Sequence, residues 1–171
     1  MVTADGALIT EVDPDGIGAE LELKPGDRLL EINGIKPVDF IDYLMLTAEE
    51  RIELKIRKGS GEYLEFEFEK DPAETLGLGF ETAVFDGIKT CKNHCLFCFV
   101  HQLPPGQRAS LYIQDDDYRL SFLQGSYVTL TNLTAADWKR IEKLHLSPLY
   151  ISVHATDPAV RRKLLGSRAI E

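Results

Sequence analysis

Every cysteine of the chain lies in one eight-residue stretch, Cys91-Lys92-Asn93-His94-Cys95-Leu96-Phe97-Cys98, at intervals of four and then three. Any fold this sequence adopts must present that stretch as one unit. An odd number of cysteines argues against a closed disulfide framework and agrees with a reducing, cytoplasmic compartment. Three thiolates brought together form a soft donor set, suited to zinc, copper(I) or an iron–sulfur cluster rather than to magnesium or calcium. A four-iron cluster normally takes four cysteines, so three leave one iron open to a ligand from outside the protein. Two other readings compete. Positions 91, 95 and 98 fall on one face of a helix, where cysteine serves as a small core hydrophobe, although the polar neighbours Lys92, Asn93 and His94 weigh against a core face. A zinc site completed by His94 or His101 also satisfies the ligand chemistry.

The N-terminus, Met1-Val-Thr-Ala-Asp, has no basic segment followed by an apolar run, and no stretch is long and apolar enough to span a bilayer. Of the 28 acidic residues 17 lie at or before Lys70, against 8 of the 19 basic ones, leaving 11 of each beyond it. The acidic excess of the first part excludes nucleic acid and anionic membrane as its partners.

Hydrophobic periodicity divides the chain near residue 71. Ala7–Val12 and Arg28–Ile32 read as strands, with turns at Asp13-Pro14-Asp15-Gly16, Lys24-Pro25-Gly26-Asp27 and Asn33-Gly34. Phe40, Ile41, Tyr43, Leu44 and Leu46 follow Asp39 with helical spacing. Ile52, Leu54, Ile56 and then Leu64, Phe66, Phe68 alternate with charges about Gly59-Ser60-Gly61, the pattern of a hairpin with one buried face.

Val12-x-Pro14-x-Gly16-x-x-Ala19 with Leu23-x-Pro25-Gly26-Asp27-x-Leu29-x-x-Ile32-Asn33-Gly34 resembles a compact bacterial PDZ domain. The resemblance implies a groove that takes an extended peptide or protein segment by strand addition, here matched to Ala7–Ile9 against Asp39–Leu46. The Gly-Leu-Gly-Phe turn that receives a peptide carboxylate is missing before Ala7, where Asp5 would repel one. Leu76-Gly77-Leu78-Gly79-Phe80 carries its letters beyond the domain and reads as a chance match. A module that only braces its neighbour fits the same residues.

Past Asp71-Pro72, the stretch from Phe80 to Thr90 reads as a strand entering the cysteine loop, which Pro104-Pro105 closes. Asp115, Asp116 and Asp117 read as a solvated turn, with a divalent cation as the competing use. Tyr127–Thr131 and Leu149–Val153 read as buried strands. Thr134-x-x-Asp137 opens a helix with Trp138, Ile141 and Leu144 inward, and Asp157-Pro158 opens another with Val160 and Leu164 inward and Gly166 as its stop. Alternating strands and helices imply parallel pairing, with ligands at the strand ends. By that rule Thr131, Asn132 and His154 share a mouth with the cysteines, a satisfied structural histidine being the competing reading of His154.

Cys91-x-x-x-Cys95-x-Phe97-Cys98 resembles the cluster motif of the radical S-adenosylmethionine family. Phe85 through Leu103, the Asp-Asp-Asp-Tyr-Arg-Leu-Ser-Phe run at 115–122 and Ser-Val-His-Ala-Thr-Asp-Pro at 152–158 resemble a bacterial subgroup in which a PDZ-like module precedes the radical enzyme domain. The resemblance implies that Cys91, Cys95 and Cys98 hold a 4Fe-4S cluster and that S-adenosylmethionine chelates the open iron. Reductive cleavage then gives a deoxyadenosyl radical, which acts on a substrate the sequence does not name. Phe97, Thr131, Asn132 and His154 are the expected cofactor-binding residues, although the family's paired glycines and glutamate are not evident at Thr129–Asn132.

The expected fold is therefore mixed α/β: a PDZ-like β-rich domain over 1–70, then the first units of a partial (β/α) barrel over 71–171, a fragment inactive by itself. The alternatives to a radical enzyme are a zinc-stabilised binding module and a peptide-binding adaptor.

Overall fold

The computed structural model describes residues 6–166, and its backbone packing divides the chain into two compact units, Met1–Gly87 and Ile88–Glu171. The fold is mixed α/β, a β-rich first unit followed by one in which strands and helices alternate. Asp5 lies outside the described residues.

In the first unit β1 (Ala7–Val12), β2 (Arg28–Ile32), β3 (Arg51–Arg57), β4 (Tyr63–Glu69) and β5 (Leu78–Phe80) form a five-stranded sheet in the order β4-β3-β2-β1-β5. Every neighbouring pair is antiparallel. The period-two pattern is what puts Ile52, Leu54 and Ile56 on the buried face of β3 while Arg51, Glu53 and Lys55 stay at the surface. Two short helices, α1 (Ile17–Glu20) and α2 (Phe40–Leu46), complete the unit. Asp39 caps α2 by accepting the Asp42 N–H at 3.0 Å. Ala7, Ile9, Leu29, Ile32, Tyr43 and the β3 residues join Leu76, Leu78 and Phe85 in one core. Buried Asp27 accepts from Lys58 Nζ at 2.6 Å and from the Gly59 and Lys24 N–H groups at 2.9 Å, tying the start of β2 to the β3–β4 turn.

Two sequence expectations change here. Leu76–Phe80, read as a chance match, supplies β5, which pairs with β1 at Val12↔Leu78 and Glu11↔Gly79. No strand runs from Phe80 to Thr90, because the residues that would begin it are already paired to β1 and the chain then turns through Asp86-Gly87. Residues 71–87, placed beyond the expected junction, pack within the first unit.

In the second unit α3 (Tyr118–Gln124), β6 (Tyr127–Val128), α4 (Ala135–Lys143), β7 (Tyr150–Ile151) and α5 (Pro158–Leu165) follow one another, and β6 pairs β7 in parallel. The helix boundaries follow from their caps. Thr134 and Asp137 close a reciprocal capping box on α4. On α5, Asp157 accepts the Val160 N–H, Pro158 occupies the first turn, and Gly166 at φ +59° ends the helix. Both strands are shorter than the sequence suggests. Trp138 at 47% exposure and Val160 at 49% are not core residues: a two-stranded sheet offers too little surface to cover them, and Leu165 is fully buried on α5 instead. No described helix is long and apolar enough to cross a membrane.

Candidate functional site

The cysteine stretch is irregular, with one turn at Leu96-Phe97, and not a helix, so the helical-face reading of the three thiols fails. Backbone groups from two distant segments hold it. The Cys91 N–H donates to the Gln114 carbonyl at 2.7 Å, while His94 and Leu96 donate to the Leu165 and Leu164 carbonyls at 3.0 and 3.1 Å. Those carbonyls lie at the end of α5, where a helix leaves acceptors unfilled. A further turn bond, Cys98 N–H to Cys95 carbonyl at 3.1 Å, brings the last two cysteines together.

All three cysteines are free and half-buried. Burial pushes the Cys91 and Cys95 thiols up, and each is raised further by neighbouring cysteines and by Asp116. Burial thus favours the protonated form at Cys91 and Cys95, and a bound metal would have to displace those protons. Among the described residues no three His, Cys, Asp or Glu side chains stand as a ready-made metal-ligand set. The rings of His94 and His101 stack on each other, with centroids 5.9 Å apart.

Asn93 is the buried centre of the loop, at 3% exposure. Its Nδ2 donates towards Cys91 Sγ at 3.4 Å, Thr129 Oγ1 at 3.1 Å and Thr131 Oγ1 at 2.8 Å, three acceptors sharing two N–H groups. Thr129 is held by Asp116, whose two oxygens accept its N–H and hydroxyl at 2.6 Å each. Asp117 accepts the Arg119 guanidinium at 2.9 and 2.7 Å and the Lys89 N–H at 2.9 Å. Asp116 and Asp117 are thus buried structural groups, not a solvated turn.

The structure brings the expected site residues into two contacts. Thr131 meets Asn93 and through it Cys91, and the Phe97 ring lies against His154 with centroids 5.2 Å apart. Asn132 ties the loop's start by donating to the Asp116 carbonyl at 2.9 Å and the Thr90 carbonyl at 3.2 Å. His154 is not a satisfied structural histidine: its Nδ1 is buried without a hydrogen-bond partner, as are Asn93 Oδ1, Asn132 Oδ1 and Arg161 Nε. Burial first, then the positive charge of Arg161, hold the imidazole below its ordinary pKa. Arg161 also donates to the Thr129 carbonyl at 3.0 Å. Thr129, Thr131, Trp138, Ile151, Val153 and Arg161 line an open cavity of about 970 Å³.

Asn93, Thr129 and Arg161 were not singled out by sequence, and Asp116 only as one of a run of aspartates. Asn93 stood inside the cysteine stretch and could have been found there, whereas the other three reach the site only through the fold.

Four buried polar atoms near the thiol-bearing loop have hydrogen-bonding capacity to spare. The donor types suit an iron–sulfur cluster: three thiols in one loop and an amide N–H aimed at one of them.

The family model of the Radical SAM-like domain matches residues 70–171, and that of the PDZ domain matches residues 8–58. Among solved structures, the PDZ domain of the SdrC-like protein from Listeria innocua is 24% identical, covering 46% of this chain and 96% of that chain with a TM-score of 0.36. No curated protein matches.

Proposed function

Since the chain belongs to the Radical SAM-like domain family and carries a PDZ domain ahead of that region, we propose that it is a radical S-adenosylmethionine enzyme whose cluster is held by Cys91, Cys95 and Cys98. When bound, a 4Fe-4S cluster with S-adenosylmethionine on its open iron supplies reductive cleavage to a deoxyadenosyl radical. The observation that carries this reading is one loop bearing three half-buried thiols beside Asn93, Thr131, Phe97 and His154. Asn93 donates to Cys91 and orients it. Thr131 fixes Asn93, Asn132 fixes the loop's start, and Phe97 packs on His154. His154 is kept neutral by burial and Arg161, so its free nitrogen stands ready to bind a polar group of the cofactor. The cavity beside Thr131 and Trp138 is the proposed route for the substrate. A reducing cytoplasm suits free cysteines. The PDZ domain adds a surface of the kind that takes an extended peptide.

The test is addition of S-adenosylmethionine to the anaerobic, reduced, iron-loaded chain. The expected result is a changed electron paramagnetic resonance signal that His154→Ala and Thr131→Ala weaken. An iron-loaded chain whose signal ignores S-adenosylmethionine contradicts the proposal.

A further inference from the structure

β1 is paired along both edges, by β2 and by β5, and β5 is the last strand of the sheet. The groove matched by sequence to Ala7–Ile9 therefore has no open strand beside α2, and the open edge belongs to β5. The Gly77 carbonyl accepts the Asp13 N–H at 2.8 Å, and the Glu81 N–H donates to the Leu8 carbonyl at 3.3 Å. Those residues face β1, so strand alternation turns the backbone groups of Leu78 and Phe80 the other way. An open groove of about 530 Å³ lies between Gly77-Leu78-Gly79 and the α2 residues Phe40, Tyr43 and Leu44. Its helix side is apolar: Phe40 stacks on Tyr43 with centroids 5.3 Å apart, and Leu44 stands 50% exposed.

The strand side is acidic. Glu11 pairs with Gly79 across the β1–β5 ladder, and paired residues project on the same face. Gly79 leaves that face bare: a Cβ there would stand 2.9 Å from Glu11 Cβ and 3.5 Å from Glu11 Oε2. Asp13 lies over Gly77 in the same way, its Cβ 2.7 Å from where a Cβ on Gly77 would stand. Glu11 and Asp13 both line the groove, and among the described residues no Lys or Arg does. The wider field has the same sign. Residues 1–87 hold 21 of the 28 acidic residues and 8 of the 19 basic ones, a formal charge of −13. Such a surface draws a cationic partner and repels an anionic one. At the glycine-rich end the Tyr43 hydroxyl accepts a hydrogen bond from the Leu78 backbone. A peptide carboxylate arriving there finds that amide taken and Asp13 beside it.

We propose that the groove between β5 and α2 selects an internal, extended segment of a partner protein in which Lys or Arg alternates with aliphatic residues. The inference rests on the peptide-binding role given above to the PDZ domain, and adds which edge receives the peptide and which peptide it prefers. Added to β5 as a further strand, such a segment places its cations on the face of Gly79, against Glu11 and Asp13. Its aliphatic side chains then point the other way, between Phe40 and Leu44.

The experiment titrates the whole chain, at low ionic strength, into fluorescein-labelled, amidated peptides of alternating Lys and Val, or of Gln and Val, and follows anisotropy. The Lys peptide is expected to bind saturably and at least about fivefold more tightly than the Gln peptide. Glu11→Gln with Asp13→Asn is expected to remove most of that preference. Glu62→Gln with Glu69→Gln takes the same charge from the β3–β4 hairpin at the opposite edge of the sheet, and is expected to leave the preference within about twofold of the parent's. The free-acid form of the Lys peptide is expected to bind no more tightly than the amide. Equal affinity for the Lys and Gln peptides overturns the charge selection while leaving the groove a peptide site. Equal losses in the two double variants overturn it as well, since net charge and not the groove is then at work. A clear preference for the free acid overturns the internal segment. Saturable binding of neither peptide overturns the proposal together with the peptide-binding role it rests on.

Discussion

Asn93 Nδ2 stands 3.4 Å from Cys91 Sγ, inside a buried network that also holds Thr129 and Thr131. An N–H directed at a cluster-ligating sulfur stabilises its added negative charge on reduction and raises the potential. Asn93→Leu keeps the volume and removes the donor. The iron-loaded variant is expected to have a more negative midpoint potential than its parent in an electron paramagnetic resonance redox titration. An unchanged potential would separate Asn93 from the cluster and leave it a packing residue.

The ion pair Asp117–Arg119 gives the second unit an acid limit. Burial by itself would raise the Asp117 carboxyl, but the Arg119 guanidinium and the Lys89 N–H hold it below the usual 3.8. A carboxylate with a depressed folded pKa contributes stability that is complete above the unfolded value and lost as pH falls through the folded one. Urea unfolding is therefore expected to weaken below about pH 4. Asp117→Asn should flatten that dependence, though not abolish it, since Asp27 and Asp137 are also lowered. The same variant should cost about 3–5 kcal/mol near neutrality, because it removes the charge that balances the buried Arg119 guanidinium. A variant with the parent's pH slope would count against this assignment.

On α4 a cap residue carries more stability than the large aromatic one turn on. Thr134→Ala removes half of the α4 capping box and is expected to cost about 1 kcal/mol of unfolding free energy. Trp138→Ala, at 47% exposure, is expected to cost well under the roughly 3–5 kcal/mol of a buried tryptophan. Denaturant midpoints on the two variants check both, and a loss at Trp138 larger than at Ile9→Ala would restore it to the core.

The contrast between Thr134 and Trp138 also shows where sequence was legible. Local signals read correctly: Asp39 before α2, the Thr134–Asp137 box, Pro158 and Gly166 about α5, and the alternation through β3 each depend on residues a few positions apart. Non-local pairing did not. β5 was misread because its partner β1 lies more than sixty residues earlier, and a three-residue strand carries almost no period of its own. Asp116 was invisible as a site support for the same reason, since it is Thr129, thirteen residues on, that makes it structural. In the cysteine loop, residue type gave the ligand chemistry, whereas the anchoring by Leu164 and Leu165 carbonyls needed the fold.

The most direct test of the central claim is the iron and sulfide content, with the visible spectrum, of the whole chain reconstituted anaerobically beside its Cys91→Ala, Cys95→Ala and Cys98→Ala variants. The account predicts a brown parent holding roughly four irons and four sulfides, and colourless variants, since two thiolates cannot hold three of the four irons. A parent that stays colourless and binds zinc, or variants that load as much iron as the parent, would contradict it.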